Sequence, residues 1–244
     1  MEIKEFNIEL AEYSIPCKLF TPAGNINRII LGVHGFAGDK ESSVLETLAE
    51  QLSSKESALI CFDFPAHGKS SAPDSFLRVE TCIQSLMKVA EYAKDHFPEC
   101  EYGIFATSFG GYITLLCSDK LKNFRKILRA PAVTMANSFV NKIIPVSKEQ
   151  FIRDGGAVCG FERKMFVSTM FYEDLIKYQI KIPKEEILII HGTEDDIIPY
   201  SAVEELTKAY PNIKLFAIEG ADHRFKKDGE LMQIIEKTIE WFGK

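Results

Sequence analysis

Six short apolar runs constrain this chain more than any other feature: 28–34, 58–64, 102–107, 126–129, 187–191 and 214–218. Each is too short for an ordinary helix, and most lack the polar alternation of a strand with one wet face. Successive side chains of a strand point to opposite sides, so a continuously apolar strand must be covered on both. The segments between them carry helical periodicity. Val44, Leu45, Leu48 and Leu52 share a face of a helix expected over Glu41–Leu52, and positions 79, 82, 83, 86, 89, 90, 93 and 97 do so over Val79–Phe97, where Pro98 stops it. Further helices are expected over Tyr112–Leu121, over Ser201–Ala209 and at the C-terminus, where Leu231, Ile234, Ile235, Ile239 and Phe242 form one stripe. Ile3–Leu10 and Ser14–Thr21 read as an opening antiparallel hairpin. The pattern predicts an α/β fold, a doubly wound and mostly parallel sheet of about eight strands with right-handed crossovers.

The alternation fails over residues 132–183. That stretch is rich in Phe and Met (Met135, Phe139, Phe151, Phe161, Met165, Phe166, Met170, Phe171), with Gly155-Gly156 as a candidate mobile joint. We expect a core of residues 1–131 and 184–244, interrupted by a small cap of residues 132–183.

In a sheet of this kind ligands gather beyond the carboxyl ends of the strands, and the chemically loaded segments fall there. Tyr102-Gly103-Ile104-Phe105-Ala106-Thr107 runs into Ser108-Phe109-Gly110-Gly111 and then a helix. Small residues two positions either side of Ser108 allow a sharp strand-to-helix turn that exposes the hydroxyl beside the Phe109 amide; the plainer reading is a helix N-cap. His34-Gly35-Phe36 offers a second amide, that of Phe36, to a developing oxyanion. The segment 190–199 holds Glu194, Asp195 and Asp196, one of which must orient an imidazole; Asp195 is the first choice and Asp196 the second. Ile218-Glu219-Gly220-Ala221-Asp222-His223 supplies the base. His34, His67 and His191 read as local hydrogen-bonding groups, and His96 as a favourable charge at a helix end.

Taken in order, A-T-S-F-G, H-G-F, D-F-P-A-H-G-K-S, H-G-T-E-D-D-I-I-P and E-G-A-D-H-R-F resemble the serine-type α/β-hydrolases, in particular the small-capped esterase and serine-aminopeptidase-like branch. The resemblance covers most of the core and little of the cap. It implies Ser108 as nucleophile, Asp195 as acid and His223 as base, with the Phe36 and Phe109 amides as oxyanion hole and no metal or organic cofactor. Two residues depart from the pattern: Ala106 replaces the usual glycine, and Arg224 replaces a small residue beside the histidine. The cap resembles that of cinnamoyl and feruloyl esterases, which implies an acyl pocket to which Phe166 and Phe171 contribute.

Composition narrows the partners. A net charge of −6 argues against nucleic acid and anionic membranes, and no apolar run is long enough for a membrane span. The basic cluster Lys120, Lys122, Arg125 and Lys126 reads as a solvated loop. Six cysteines without metal-type spacing read as reduced core residues, which points to a cytoplasmic setting. The expected function is hydrolysis of small carboxylic esters, with aromatic acyl groups among them. An aminopeptidase, amidase or acyltransferase on the same three residues is the alternative, and a non-catalytic binding protein on this scaffold is the remote one.

Overall fold

The computed structural model describes residues 1–160 and 163–243. An antiparallel pair, β1 (Glu2–Glu9) and β2 (Ser14–Thr21), opens the chain. Then follow β3 (Arg28–Val33), α1 (Ser43–Leu52), β4 (Ser57–Phe62), α2 (Val79–His96), β5 (Glu101–Thr107), α3 (Phe109–Leu116) and β6 (Phe124–Arg129). An insertion then holds α4 (Met135–Ser138), α5 (Lys148–Arg153), β7 (Gly156–Cys159), β8 (Met165–Ser168) and α6 (Thr169–Lys177), and beyond it come β9 (Ile187–Gly192), α7 (Tyr200–Ala209), β10 (Ile213–Ile218) and α8 (Glu230–Phe242). The eight-stranded sheet runs β1-β2-β4-β3-β5-β6-β9-β10, with β3, β4, β5, β6, β9 and β10 parallel. This is the α/β-hydrolase arrangement expected from the sequence.

The continuous apolar runs feed two core layers. Ile29, Leu31 and Val33 of β3 join one layer, whereas Ile30 joins the other. Ile104 and Ala106 oppose Phe105 in the same way, as do Ile187 and Ile189 against Leu188 and Ile190. Leu45, Leu48 and Leu52 of α1 and Ile234, Ile235, Trp241 and Phe242 of α8 close one face. The α2 and α3 side chains close the other. Both covers are apolar, so neither face of a central strand tolerates an unpaired polar group.

The expected solvated loop at residues 120–126 is corrected at its end. Lys126 is buried, and its Nζ donates to the Leu121 and Phe124 carbonyls at 2.7 and 2.9 Å. It belongs to β6, and its stem runs along the core to reach these strand-entry carbonyls.

The insertion holds α4 (Met135–Ser138), which continues into a π turn over Phe139–Ile143, then α5 (Lys148–Arg153), a hairpin of β7 (Gly156–Cys159) and β8 (Met165–Ser168), and α6 (Thr169–Lys177). Phe161, counted among the aromatics of this stretch, lies outside the described residues. Gly155 and Gly156 turn α5 into β7 with φ of 75° and 147°. A Cβ at Gly156 would stand 2.4 Å from the Val167 carbonyl oxygen, so this glycine serves a close backbone approach. The insertion is fastened to α2: the Arg78 guanidinium makes a two-pronged pair with the buried Asp174 carboxylate at 2.6 and 2.7 Å. Phe139, Phe151 and Phe171 are buried in the same apolar layer as α2 and α3.

Candidate active site

Ser108 stands at the junction of β5 and α3 with φ 50° and ψ −113°. Such dihedrals cost a non-glycine residue about 1–3 kcal/mol. The turn is held from both sides: the Ser108 amide donates to the Arg129 carbonyl at 2.9 Å, and the Ser108 carbonyl accepts from Tyr112 and Ala132. Gly110 is required because a Cβ there would lie 2.5 Å from the His34 carbonyl oxygen. The helix start is thereby pressed against the end of β3.

His223, in the loop after β10, reaches both partners. Its Nε2 accepts from the Ser108 hydroxyl at 3.0 Å, and its Nδ1–H donates to Asp195 Oδ2 at 2.7 Å. Asp195 follows β9 with its carboxylate fully enclosed, and its Oδ1 accepts from the Ile197 and Ile198 amides at 2.9 and 2.7 Å. Burial pushes its pKa up, but the hydrogen bond and charge of His223, with the Ile198 amide, hold it below the ordinary carboxylate value. Glu194 and Asp196 are exposed, so of the three acids Asp195 meets the imidazole. His191 is buried and held neutral by that burial, and its ring donates to the Ile198 carbonyl at 3.0 Å.

The loop after β3 lies against the serine, since a Cβ at Gly35 would stand 3.3 Å from Ser108 Cβ. This brings Phe36 alongside. Among the described residues neither the Phe36 nor the Phe109 amide makes a hydrogen bond, so both remain available beside the hydroxyl. Two buried imidazoles brace this loop. His34 Nδ1–H donates to the Gly35 carbonyl and its Nε2 accepts from the Phe64 amide; His67 Nδ1–H donates to the Pro65 carbonyl and its Nε2 accepts from the Ala37 amide. Burial lowers their pKa values to about 4 and about 3, so both are neutral acceptors at physiological pH. Asp63 completes the brace, accepting from the Lys40 and Lys69 amides and pairing with the buried Lys40 ammonium at 3.1 Å.

A cleft of about 290 Å³ opens beside Ser108, lined by Phe36, Leu45, Thr107, Arg129, Ile143 and Ile197 among others. Phe166 and Phe171 are not in its wall, which corrects their expected place in an acyl pocket. Phe171 is fully buried among the rings of Phe36, Phe109 and Phe139, beneath the site. Phe166 is exposed on β8, opposite Val158 of β7. Ile143 is the insertion residue that reaches the cleft among those described. Arg129, which the sequence reading passed over, also lines it. Burial lowers its guanidinium pKa to about 10, which leaves it cationic at neutral pH. A lone arginine closing a buried strand was the available signal.

A family model described as serine aminopeptidase, S33 (Hydrolase_4), matches residues 24–155, more than half of the chain. The chain belongs to this family of serine hydrolases. The matched span holds Phe36 and Ser108, and Asp195 and His223 follow it. No curated protein gives a match. Among solved structures, the hydrolase is similar to Est1E from Butyrivibrio proteoclasticus with ferulic acid bound (TM-score 0.82, 20% identity, covering 98% of this chain and 100% of that one). It is also similar to alpha/beta hydrolase domain-containing protein 10 from mouse (TM-score 0.78, 16% identity, 98% of each chain). The esterase domain of a Rhodothermus marinus protein is a third such structure (TM-score 0.74, 16% identity, 99% of this chain and 98% of that one). At these identities the likeness establishes the fold.

Proposed function

We propose that this hydrolase cleaves small carboxylic esters through Ser108, His223 and Asp195. The observation that carries the reading is the continuous hydrogen-bonded line from the strained serine through His223 to the buried Asp195. His223 takes the Ser108 proton as Oγ attacks the acyl carbonyl, and Asp195 holds the Nδ1–H tautomer and stabilises the imidazolium. The Phe36 and Phe109 amides receive the charge that develops on the carbonyl oxygen. His223 then protonates the departing alcohol, and water, activated by the same imidazole, releases the acid from the acyl-enzyme.

The cleft volume suits a small acyl group, and Phe36, Leu45, Ile143 and Ile197 give it apolar walls. Ferulic acid bound to the Butyrivibrio protein supports testing aromatic acyl groups. Residues 132–183 act in this reading as a cap that shields the acyl-enzyme, with Ile143 as its contact. The family description favours an aminopeptidase as second reading. Against it, no carboxylate is among the described residues lining the cleft, and a substrate ammonium requires one. The test is covalent labelling of Ser108 by a fluorophosphonate, followed by turnover of p-nitrophenyl esters, hydroxycinnamoyl esters and aminoacyl amides. Labelling with ester turnover supports the proposal. Failure to label Ser108 overturns it, and turnover of the amides alone would favour the peptidase.

A further inference from the structure

The cleft is cationic, although the chain carries a net charge of −6. Two arginines, Arg129 and Arg224, line it, and no acid is among the described residues of the wall. Arg129 is 6% exposed. Its Nη2 donates to the Arg224 carbonyl at 2.7 Å and its Cζ lies 4.6 Å from the Phe225 ring centre, yet the buried Nε has no partner among the described residues. Asp195 and Asp222 act on this guanidinium only at longer range, since neither makes an ion pair with it. A buried cation without a paired anion is costly, and this one sits where its own backbone touches Ser108.

The N-terminus of α1 contributes to the same cleft, which Ser42 and Leu45 line. Ser42 occupies the N-cap position, but its side chain makes no capping bond. The Ser43 and Val44 amides donate to no group among the described residues, and Glu46, the acid of the first turn, pairs with Lys18. Nearby acids are engaged elsewhere: Asp39 accepts from the Glu41 amide, and Glu41 pairs with Lys18 and Lys40. The Thr107 hydroxyl, also in the wall, makes no hydrogen bond among the described residues.

We propose that the space between Arg129 and the N-terminus of α1 is a carboxylate subsite, and that the preferred substrate is an ester bearing a free carboxylate a few bonds from the scissile carbonyl. The proposal rests on the ester-hydrolase reading and names its substrate class. The substrate carboxylate supplies the anion that Arg129 and α1 both lack. Arg224, exposed beside His223, adds positive charge at the same cleft.

The experiment compares the p-nitrophenyl monoester of glutaric acid with p-nitrophenyl valerate, which has the same chain length and no charge. Charge-assisted hydrogen bonds are worth roughly 10- to 100-fold in affinity. The wild-type ratio of kcat/KM, anionic over neutral, is therefore expected to be at least about ten. Arg129→Gln should bring that ratio to about one or below through KM, and Ser42→Asp should lower it as well. A wild-type ratio of one or less overturns the proposal. So does an equal loss on both esters in Arg129→Gln, which would make the arginine a clamp on the His223 loop. If Arg129→Gln does not fold, Ser42→Asp decides, together with protection of wild-type Ser108 from fluorophosphonate by free glutarate. Labelling of Ser108 without charge preference removes this inference alone; absence of labelling removes the hydrolase reading beneath it.

Discussion

Ser108, His223 and Asp195 are placed by different local forces, and their substitutions should separate accordingly. Ser108 and His223 touch only through one hydrogen bond, and neither side chain is part of the core. Ser108→Ala and His223→Ala should therefore each remove nearly all ester turnover without moving the urea midpoint. The double variant should lose little more than either single one, because groups acting as a unit are not additive. Additive losses in kcat/KM would mean that the two do not act together. Asp195 accepts three hydrogen bonds from inside the fold, whereas Asp196 is exposed. Asp195→Asn should lower kcat by roughly 10³–10⁴, by analogy with triads in which this change permits the wrong tautomer. Asp196→Asn should change it by less than about threefold, as surface substitutions generally do. Steady-state kinetics of the two variants check this, and a reversed order would move the acid by one residue.

At the scale of elements, the loops after β3 and β4 are tied to one another by neutral imidazoles, and this makes the site acid-sensitive. An unfolded histidine takes its proton near 6.5, whereas His34 and His67 take theirs at about 4 and about 3. Between those values the unfolded chain holds more protons, so stability is complete at neutral pH and falls as the pH drops below 6.5. Urea midpoints at pH 6.5 and 5.0, a span above most carboxylate titration, should fall less in His67→Gln than in wild type. Equal slopes would show that His67 does not contribute. The strands and the loops they carry were legible in the sequence because each central strand serves two apolar layers and each site loop follows a strand end. That Arg129 and Lys126 are buried was not legible, since a charged residue on a short strand looks the same whether it ends in solvent or in a buried acceptor. The β7–β8 hairpin was missed for a related reason: four-residue runs such as Gly156–Cys159 carry too little periodicity to reveal a partner. For Phe166 and Phe171, composition indicated an apolar environment but could not say which was covered by Phe36 and Phe109 and which faced outward.

Across the whole molecule, the insertion and the core share one apolar layer, so they should unfold together. Phe171 touches Phe36 and Phe109 of the core and Phe139 of the insertion. Phe171→Ala should cost about 3–5 kcal/mol. The sole tryptophan, Trp241, lies in the opposite layer on α8. Its fluorescence and the far-ultraviolet circular dichroism should shift to the same lower urea midpoint in the variant. A fluorescence transition left at the wild-type midpoint would instead show the insertion melting as a separate unit. The separation of Ser108 and His223 by 115 positions has a consequence for the order of events at the ribosome. At about 5–20 residues per second, roughly 6–23 s pass between synthesis of Ser108 and synthesis of His223. When Ser108 is made five of the eight sheet strands exist, and β6, β9 and β10 are added during that interval, in which the hydroxyl lacks the His223 ring. The hydrogen bond from Ser108 to His223 therefore forms only once the loop after β10 has been made, among the last segments of the chain.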